Sequence, residues 1–380
     1  MTNVSLPLHR CFLNRVFKPV LIVTLTCVLV GRLTGQTAET PQGQPTDFHL
    51  KAPNAKEVIL RGQWTKEPVK LERDPQGMWN SPVLNIPSGI WEYSFVVDGL
   101  NISDPTNPAL KPMREPTVSI LHLPGTPPNP WDFQAVPHGT VHQHTYFSKV
   151  LGRERNLCVY TPPGYETDKE RIYPLLVLQH GSGDNEQTWI AHGKAHWILD
   201  NLIASNKARP MVVLMIDGHP LGKSQKDSPE DKKALAMESF RRELFEDALP
   251  LLESVYRVER DAQSRALAGL SMGGGQSLTV GLSNLDRFSW IGAFSAAPPS
   301  SALVDPALAD AAVTNPKINL LWIAVGKEDF LREKNETFIA QLRKQNIKHE
   351  WFLTEGGHSW PVWRQYLTDF APRLFQKTQP

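Results

Sequence analysis

From Asp47 to Leu123 apolar and polar positions alternate in short stretches: Val58-Ile59-Leu60, Ile90 through Val97, and Val118-Ser119-Ile120-Leu121. Turn signals separate them, at Asp74-Pro75-Gln76-Gly77 and Asp98-Gly99. A period of two with regular turns predicts a small antiparallel all-β sandwich over residues 47–124. Eight prolines then fall between Asp104 and Pro130. Residues that lack an N–H at this density form neither helix nor central strand, so a domain boundary is expected near the end of the stretch, with 125–137 as a Pro-rich linker.

After Pro137 the texture changes. Tyr173–Gln179 and Met211–Ile216 are continuous apolar runs, the mark of parallel strands covered on both faces. Arg265–Leu270, Phe288–Phe294, Leu320–Val325 and Glu350–Leu353 continue the series. Helical patterns intervene, at Glu238–Tyr256 with Phe240, Leu244, Ala248, Leu251 and Leu252 in helix spacing, and at Phe330–Gln345. The alternation predicts an α/β fold over residues 138–377, a mostly parallel sheet with right-handed crossovers and helices on both faces.

The N-terminal segment 1–35 stands apart from both regions. It carries Arg10, Arg15, Lys18 and Arg32, no acid, and an apolar run Val20–Val30 broken only by two threonines. The run is shorter than the ~20 residues of a bilayer span, so it reads as an export signal peptide, with an uncleaved membrane anchor as the alternative. Its removal changes the charge. The whole chain has 40 basic and 39 acidic residues; without the segment 36 basic residues remain, a net charge of −3. Cys11 and Cys27 go with it, leaving Cys158 alone and no intrachain disulfide. The expected location is secreted or periplasmic. With no basic excess, nucleic acid is not an expected partner.

Gly269-Leu270-Ser271-Met272-Gly273 is a G-x-S-x-G pentad between an apolar run and the helix-like Gly274–Leu278. In a strand–turn–helix setting such a serine stands on a sharp turn above the sheet, its hydroxyl exposed as a nucleophile. A serine nucleophile needs a base and the base an orienting acid. Leu320–Val325 runs into Gly326-Lys327-Glu328-Asp329, and the next strand into Gly356-Gly357-His358. Ser271, Asp329 and His358 follow the chain order of α/β-hydrolase triads, with Asp329 preferred to Glu328 for its shorter, more fixed arm. The strand Tyr173–Gln179 ends at His180-Gly181-Ser182-Gly183, a turn suited to aim the backbone N–H of Ser182 at an oxyanion; the second donor is the N–H of Met272. His192 and His196 have the i, i+4 spacing of a helical zinc pair, but Gly193 stands where the zinc-protease motif has glutamate. His142 and His144 share a strand face without a third ligand, so neither a metal nor a cofactor is expected.

Beyond the pentad, Tyr160–Tyr165, Leu178–Asp184 with Trp189 after it, Asp200–Ala204, Gly326–Phe330 and Gly357–Trp360 together make the chain resemble the esterase D-like family of α/β-hydrolases. The likeness lies close to carbohydrate esterase family 1 and its feruloyl esterases. It implies that Ser271, Asp329 and His358 occupy triad positions and that an oxyanion donor follows His180-Gly181. Residues 47–124 resemble an early-set immunoglobulin-like domain related to the family-48 carbohydrate-binding module, through Trp91-Glu92-Tyr93 and Val97-Asp98-Gly99 to Asp104-Pro105. Trp64, Trp79 and Trp91 are candidate sugar platforms there, with core packing as the alternative. Trp189 and Trp360 are candidates for an aromatic substrate-binding wall, and the lysine-rich Asp217–Glu238 for a lid.

These readings converge on an exported serine carboxylic-ester hydrolase acting on acylated carbohydrate or another small ester, with feruloyl groups on polysaccharide foremost. The alternatives are an enterochelin-type siderophore esterase or a sugar acyltransferase, and, from another class, a carbohydrate-binding protein whose hydrolase domain is idle.

Overall fold

The computed structural model describes residues 43–114, 116–222, 229–299 and 301–376. The expected export segment and Lys223, Lys226 and Asp227 of the expected lid lie outside them. Eight strands form the central sheet: β1 (Thr140–Ser148), β2 (Arg153–Thr161), β3 (Leu175–Gln179), β4 (Val212–Ile216), β5 (Arg265–Leu270), β6 (Trp290–Phe294), β7 (Leu320–Gly326) and β8 (Glu350–Thr354). Their spatial order is β1-β2-β4-β3-β5-β6-β7-β8. Strands β3 to β8 run parallel; β1 pairs antiparallel with β2 and β2 with β4. This is the α/β-hydrolase fold.

The buried strands match the apolar runs because every residue of β3, β4, β5, β6 and β7 is buried. One face packs under α1 (Ala195–Ala204) and the C-terminal helix α6 (Trp360–Phe370), through Ile198, Leu199, Trp322, Leu367 and Phe370. Helices α2 (Glu230–Glu243) and α3 (Leu249–Val255), with the turn between them, cover Leu157, Val177 and Leu214 with Phe240, Leu244, Leu249 and Leu252. Between α2 and α3 the chain makes a π turn, Leu244–Ala248, just before Pro250, which lacks the N–H of a continuous α-helix. The single helix expected at Glu238–Tyr256 is therefore a longer, interrupted one. Two further helices matter below, α4 (Met272–Ser283) and α5 (Arg332–Lys344). Among the described residues no helix is long and apolar enough to cross a membrane.

Residues 43–123 are all-β. Gly89–Val97 is central, flanked by Ser119–Leu123 and Val58–Gly62, while His49–Lys51, Met78–Asn80 and Glu72–Arg73 form a second small sheet. Phe48, Leu50, Val58, Leu60, Trp79, Tyr93 and Phe95 fill the space between them. The candidate sugar platforms belong to this packing. Trp79 is buried and donates Nε1–H to Ala52 O at 2.9 Å. Trp64 stacks on Phe48 with centroids 5.5 Å apart, and Trp91 donates to Pro87 O at 2.8 Å while packing against the same core. Among the described residues the β region and the large sheet make one unit, joined by the proline-dense segment. A buried Arg364 on α6 donates Nη2–H to Ile90 O of the β region at 2.9 Å.

Candidate active site

Parallel pairing brings the C-terminal ends of β3, β5, β7 and β8 to one edge. Gln179 is level with Gly269, Leu270 with Phe294, and Gly326 with Thr354. The chain leaves each end within a few residues of Ser182, Ser271, Asp329 and His358, so residues distant in sequence converge.

Ser271 is the hinge between β5 and α4. Its φ of 52° and ψ of −113° are costly for a residue with a Cβ. Three backbone bonds hold it there: Ser271 N–H to Phe294 O at 2.8 Å, and Gly275 and Ala297 N–H to Ser271 O at 3.0 and 2.9 Å. The flanking glycines make the turn possible. A Cβ on Gly269 would sit 2.7 Å from the Gly273 carbonyl carbon, and one on Gly273 would strike the His180 carbonyl. The pentad thus encodes a close crossing of two backbones around a half-buried serine that lines the cavity.

His358 Nε2 is 2.9 Å from Ser271 Oγ, and His358 Nδ1 is 2.9 Å from Asp329 Oδ2 and 3.1 Å from Oδ1. Asp329 also accepts the Leu331 N–H at 2.8 Å. Burial pushes the Asp329 carboxyl up, but the bonds from His358 and Leu331 outweigh it and hold its pKa below the usual carboxylate range. It is therefore an anion facing the imidazole. Glu328, the discarded alternative, makes no bond to His358; it lies under the Gly357 turn.

Ser271 and His358 open on a cavity of about 1090 Å³ that Gly181, Ser182 and Met272 also line. Met272 starts α4, so its N–H is at a helix N-terminus, where developing negative charge is favoured. The turn bearing Ser182 is tightly built. His180 is buried; its Nε2 accepts the Gly218 N–H at 2.8 Å, so its proton is on Nδ1, which donates to Gly181 O at 2.8 Å. His219 Nε2 accepts the Gly183 N–H at 3.3 Å, and burial drives the His219 pKa down to about 3, keeping the ring a neutral acceptor.

Trp189 and Trp360 do not form the wall expected of them. Both are 1% exposed and pack edge-to-face on one another in the core, centroids 5.0 Å apart. The aromatic rings that reach the cavity are Phe330 and Trp363. They flank His358, with centroids at 4.4 and 4.9 Å. Trp363, three residues beyond Trp360 on α6, is turned about 60° around the helix and, although 6% exposed and part of the same core, reaches the cavity wall where Trp360 does not. Phe330 follows Asp329 directly and is 69% exposed, a signal that adjacency offered. Of the expected lid, Lys233, Ala234, Ala236 and Met237 on α2 border the cavity, whereas Asp217 is tied down by Arg155 at 2.9 Å and Arg114 at 3.4 Å. Among the described residues no three His, Cys, Asp or Glu side chains cluster as a metal site.

The fold defines the class as an α/β-hydrolase, with a hydroxyl, an imidazole and a carboxylate within hydrogen-bond distance of one another at its strand ends. The family model described as "Putative esterase" matches residues 148–374, and the chain belongs to that family. It is 29% identical over 342 residues to an endo-1,4-beta-xylanase/feruloyl esterase of Xylanibacter ruminicola, a match covering 87% of this chain and 44% of that protein. The chain thus spans less than half the length of this relative. A solved ferulic acid esterase superposes with a TM-score of 0.54 at 28% identity, covering 62% of this chain and 97% of the other. The enterobactin esterase of Shigella flexneri, solved with enterobactin, has the same fold at 19% identity and a TM-score of 0.60, covering 87% of this chain and 96% of its own.

Proposed function

We propose that the protein is an exported carboxylic-ester hydrolase that removes feruloyl or related acyl groups from polysaccharide. The relay of Ser271, His358 and Asp329 at the wall of an aromatic-flanked cavity carries this reading. As His358 Nε2 takes the proton, Ser271 Oγ attacks the ester carbonyl, and the Asp329 anion steadies the imidazolium that forms. The carbonyl oxygen becomes an oxyanion facing the backbone N–H groups of Ser182 and Met272. Collapse of the tetrahedral species passes the proton from His358 to the departing alcohol and leaves an acyl group on Ser271. Water activated by the same histidine releases it.

Phe330 supports an aromatic acyl group, since its ring is exposed at the cavity beside His358, with the buried Trp363 behind the same histidine. The relative with a feruloyl esterase name and the solved ferulic acid esterase support the same preference. Polysaccharide as the acyl carrier and export from the cell rest on the family likeness and the basic, apolar N-terminus.

A siderophore esterase is the second reading. The enterobactin esterase fold extends over the β region as well as the hydrolase, covering 87% of this chain against 62% for the ferulic acid esterase. A side-by-side assay on methyl ferulate, feruloylated arabinoxylan fragments, an acetylated xylo-oligosaccharide and enterobactin tests both. Ferulate release at the highest kcat/KM is expected. Preferential cleavage of enterobactin would install the second reading instead.

A further inference from the structure

The proline-dense segment does more than join the β region to the hydrolase: residues 111–114 run along the outer side of the turn that carries Ser182. Lys111 Nζ lies 3.2 Å from Asp184 Oδ1, at the end of that turn, and 3.1 Å from Glu92 Oε1 on the central strand of the β region. Both Lys111 and Asp184 are buried. Burial works against both charges: at Lys111 Asp184 and Glu92 outweigh it and the pKa stands above the ordinary value, whereas at Asp184 burial prevails over Lys111 and raises the carboxyl pKa, so the pair stands on its geometry. The backbone adds a second hold. Arg114 N–H donates to Gly183 O at 2.9 Å, and Met113 bridges Asp184 as an isolated strand pair. A third comes from Thr188, whose hydroxyl donates to Pro112 O at 2.6 Å. At its other end the segment is fixed to the β region, with Lys111 N–H on Val118 O at 3.0 Å.

The turn needs such a hold. Ser182 lies between Gly181 and Gly183, the latter at φ 87°, so its orientation depends on the contacts around it, those of His180 and His219 on one side and of the strap on the other. An oxyanion donor works only when its N–H is aimed before charge develops. We propose that Lys111 is a positioning residue for this turn, acting through Asp184, so that the β region completes the active site of the hydrolase. The proposal rests on the reading of Ser182 as an oxyanion donor. Lys111 and Met113 also line the cavity beside Ser271, which places the strap at the substrate's edge.

The test uses the full chain, with active sites counted by fluorophosphonate titration so that kcat refers to folded, reactive enzyme. Lys111→Met is expected to lower kcat on a nitrophenyl acyl ester by about 10- to 100-fold, short of the roughly 10²–10³ for outright loss of a donor, with KM changed less than about twofold. Lys111→Arg, which keeps the charge, is expected within about threefold of wild type. Asp184→Asn breaks the same pair from the other side while leaving Lys111 its Glu92 partner, and decides the matter if Lys111→Met does not fold. A kcat per titrated site within about twofold of wild type for either neutralised variant overturns the proposal. Wild-type activity in Ser271→Ala protein would overturn it too, but by removing the serine reading beneath it.

Discussion

Asp329 meets His358 with both carboxylate oxygens, Oδ2 at 2.9 Å and Oδ1 at 3.1 Å from Nδ1. A base so held has one tautomer available, with Nε2 unprotonated toward Ser271 Oγ at 2.9 Å. Asp329→Asn puts an amide where the anion stood. The expected loss in kcat near neutral pH is about 10³–10⁴-fold with little change in KM, measured on a soluble aryl ester. A loss under tenfold would show that another group orients the imidazole.

Phe330 and Trp363 bracket the same histidine, but only Phe330 is broadly exposed. Phe330→Ala is expected to reduce kcat/KM for feruloyl esters by about 5- to 15-fold, the worth of one aromatic contact, while an acetyl ester with the same leaving group changes by less than threefold. Equal losses on both substrates would remove Phe330 from acyl recognition.

Trp360 offers the contrast. It is 1% exposed and packs on Trp189 and Trp363. Trp360→Ala is expected to destabilise the fold by about 3–5 kcal/mol in a denaturant titration and to leave the feruloyl-to-acetyl selectivity of the folded fraction unchanged.

Acid should weaken the fold along a defined course. Burial pushes His192, His196 and His219 down from 6.5 to about 3. In the unfolded chain each protonates at its ordinary value, so below about pH 6.5 unfolding takes up protons and stability falls until about pH 3. The slope is about 1.4 kcal/mol per pH unit for each such histidine. Glu92 adds to this at lower pH: burial raises its pKa, but the His192 ring 3.1 Å away and Lys111 outweigh that and set it at about 2, so its stabilising charge, present above 4.5, is lost toward 2. Denaturant titrations at pH 7, 6 and 5 should show the decline, and His192→Gln should flatten it by about one histidine's share. A flat profile would mean these rings protonate in the folded state.

The sequence made most of the hydrolase legible because its central strands are buried on both faces and so read as uninterrupted apolar runs. Thr140–Ser148 escaped that series: as an edge strand it alternates exposed polar residues such as Gln143 and Thr145 with half-buried ones. Ser271, Asp329 and His358 could be picked out because each follows the end of a parallel strand, and strand ends share one edge. The aromatic wall could not, since choosing Trp363 over Trp360 requires the rotational phase of α6 against the sheet. The strap was more hidden still. Lys111 and Asp184 are 73 positions apart, and nothing local to either marks the pairing of a β-region segment with a hydrolase turn.

The central claim is that ester cleavage proceeds through an acyl group on Ser271. Its most direct measurement is intact-mass analysis of the full chain after brief acid quenching with a feruloyl ester, beside Ser271→Ala protein. The account predicts a feruloyl adduct on the wild type, located at Ser271 by peptide mapping, with neither adduct nor turnover above about 10⁻³ of wild type in the variant. Turnover by Ser271→Ala at a rate comparable to wild type, or an adduct mapped to another residue, would contradict it.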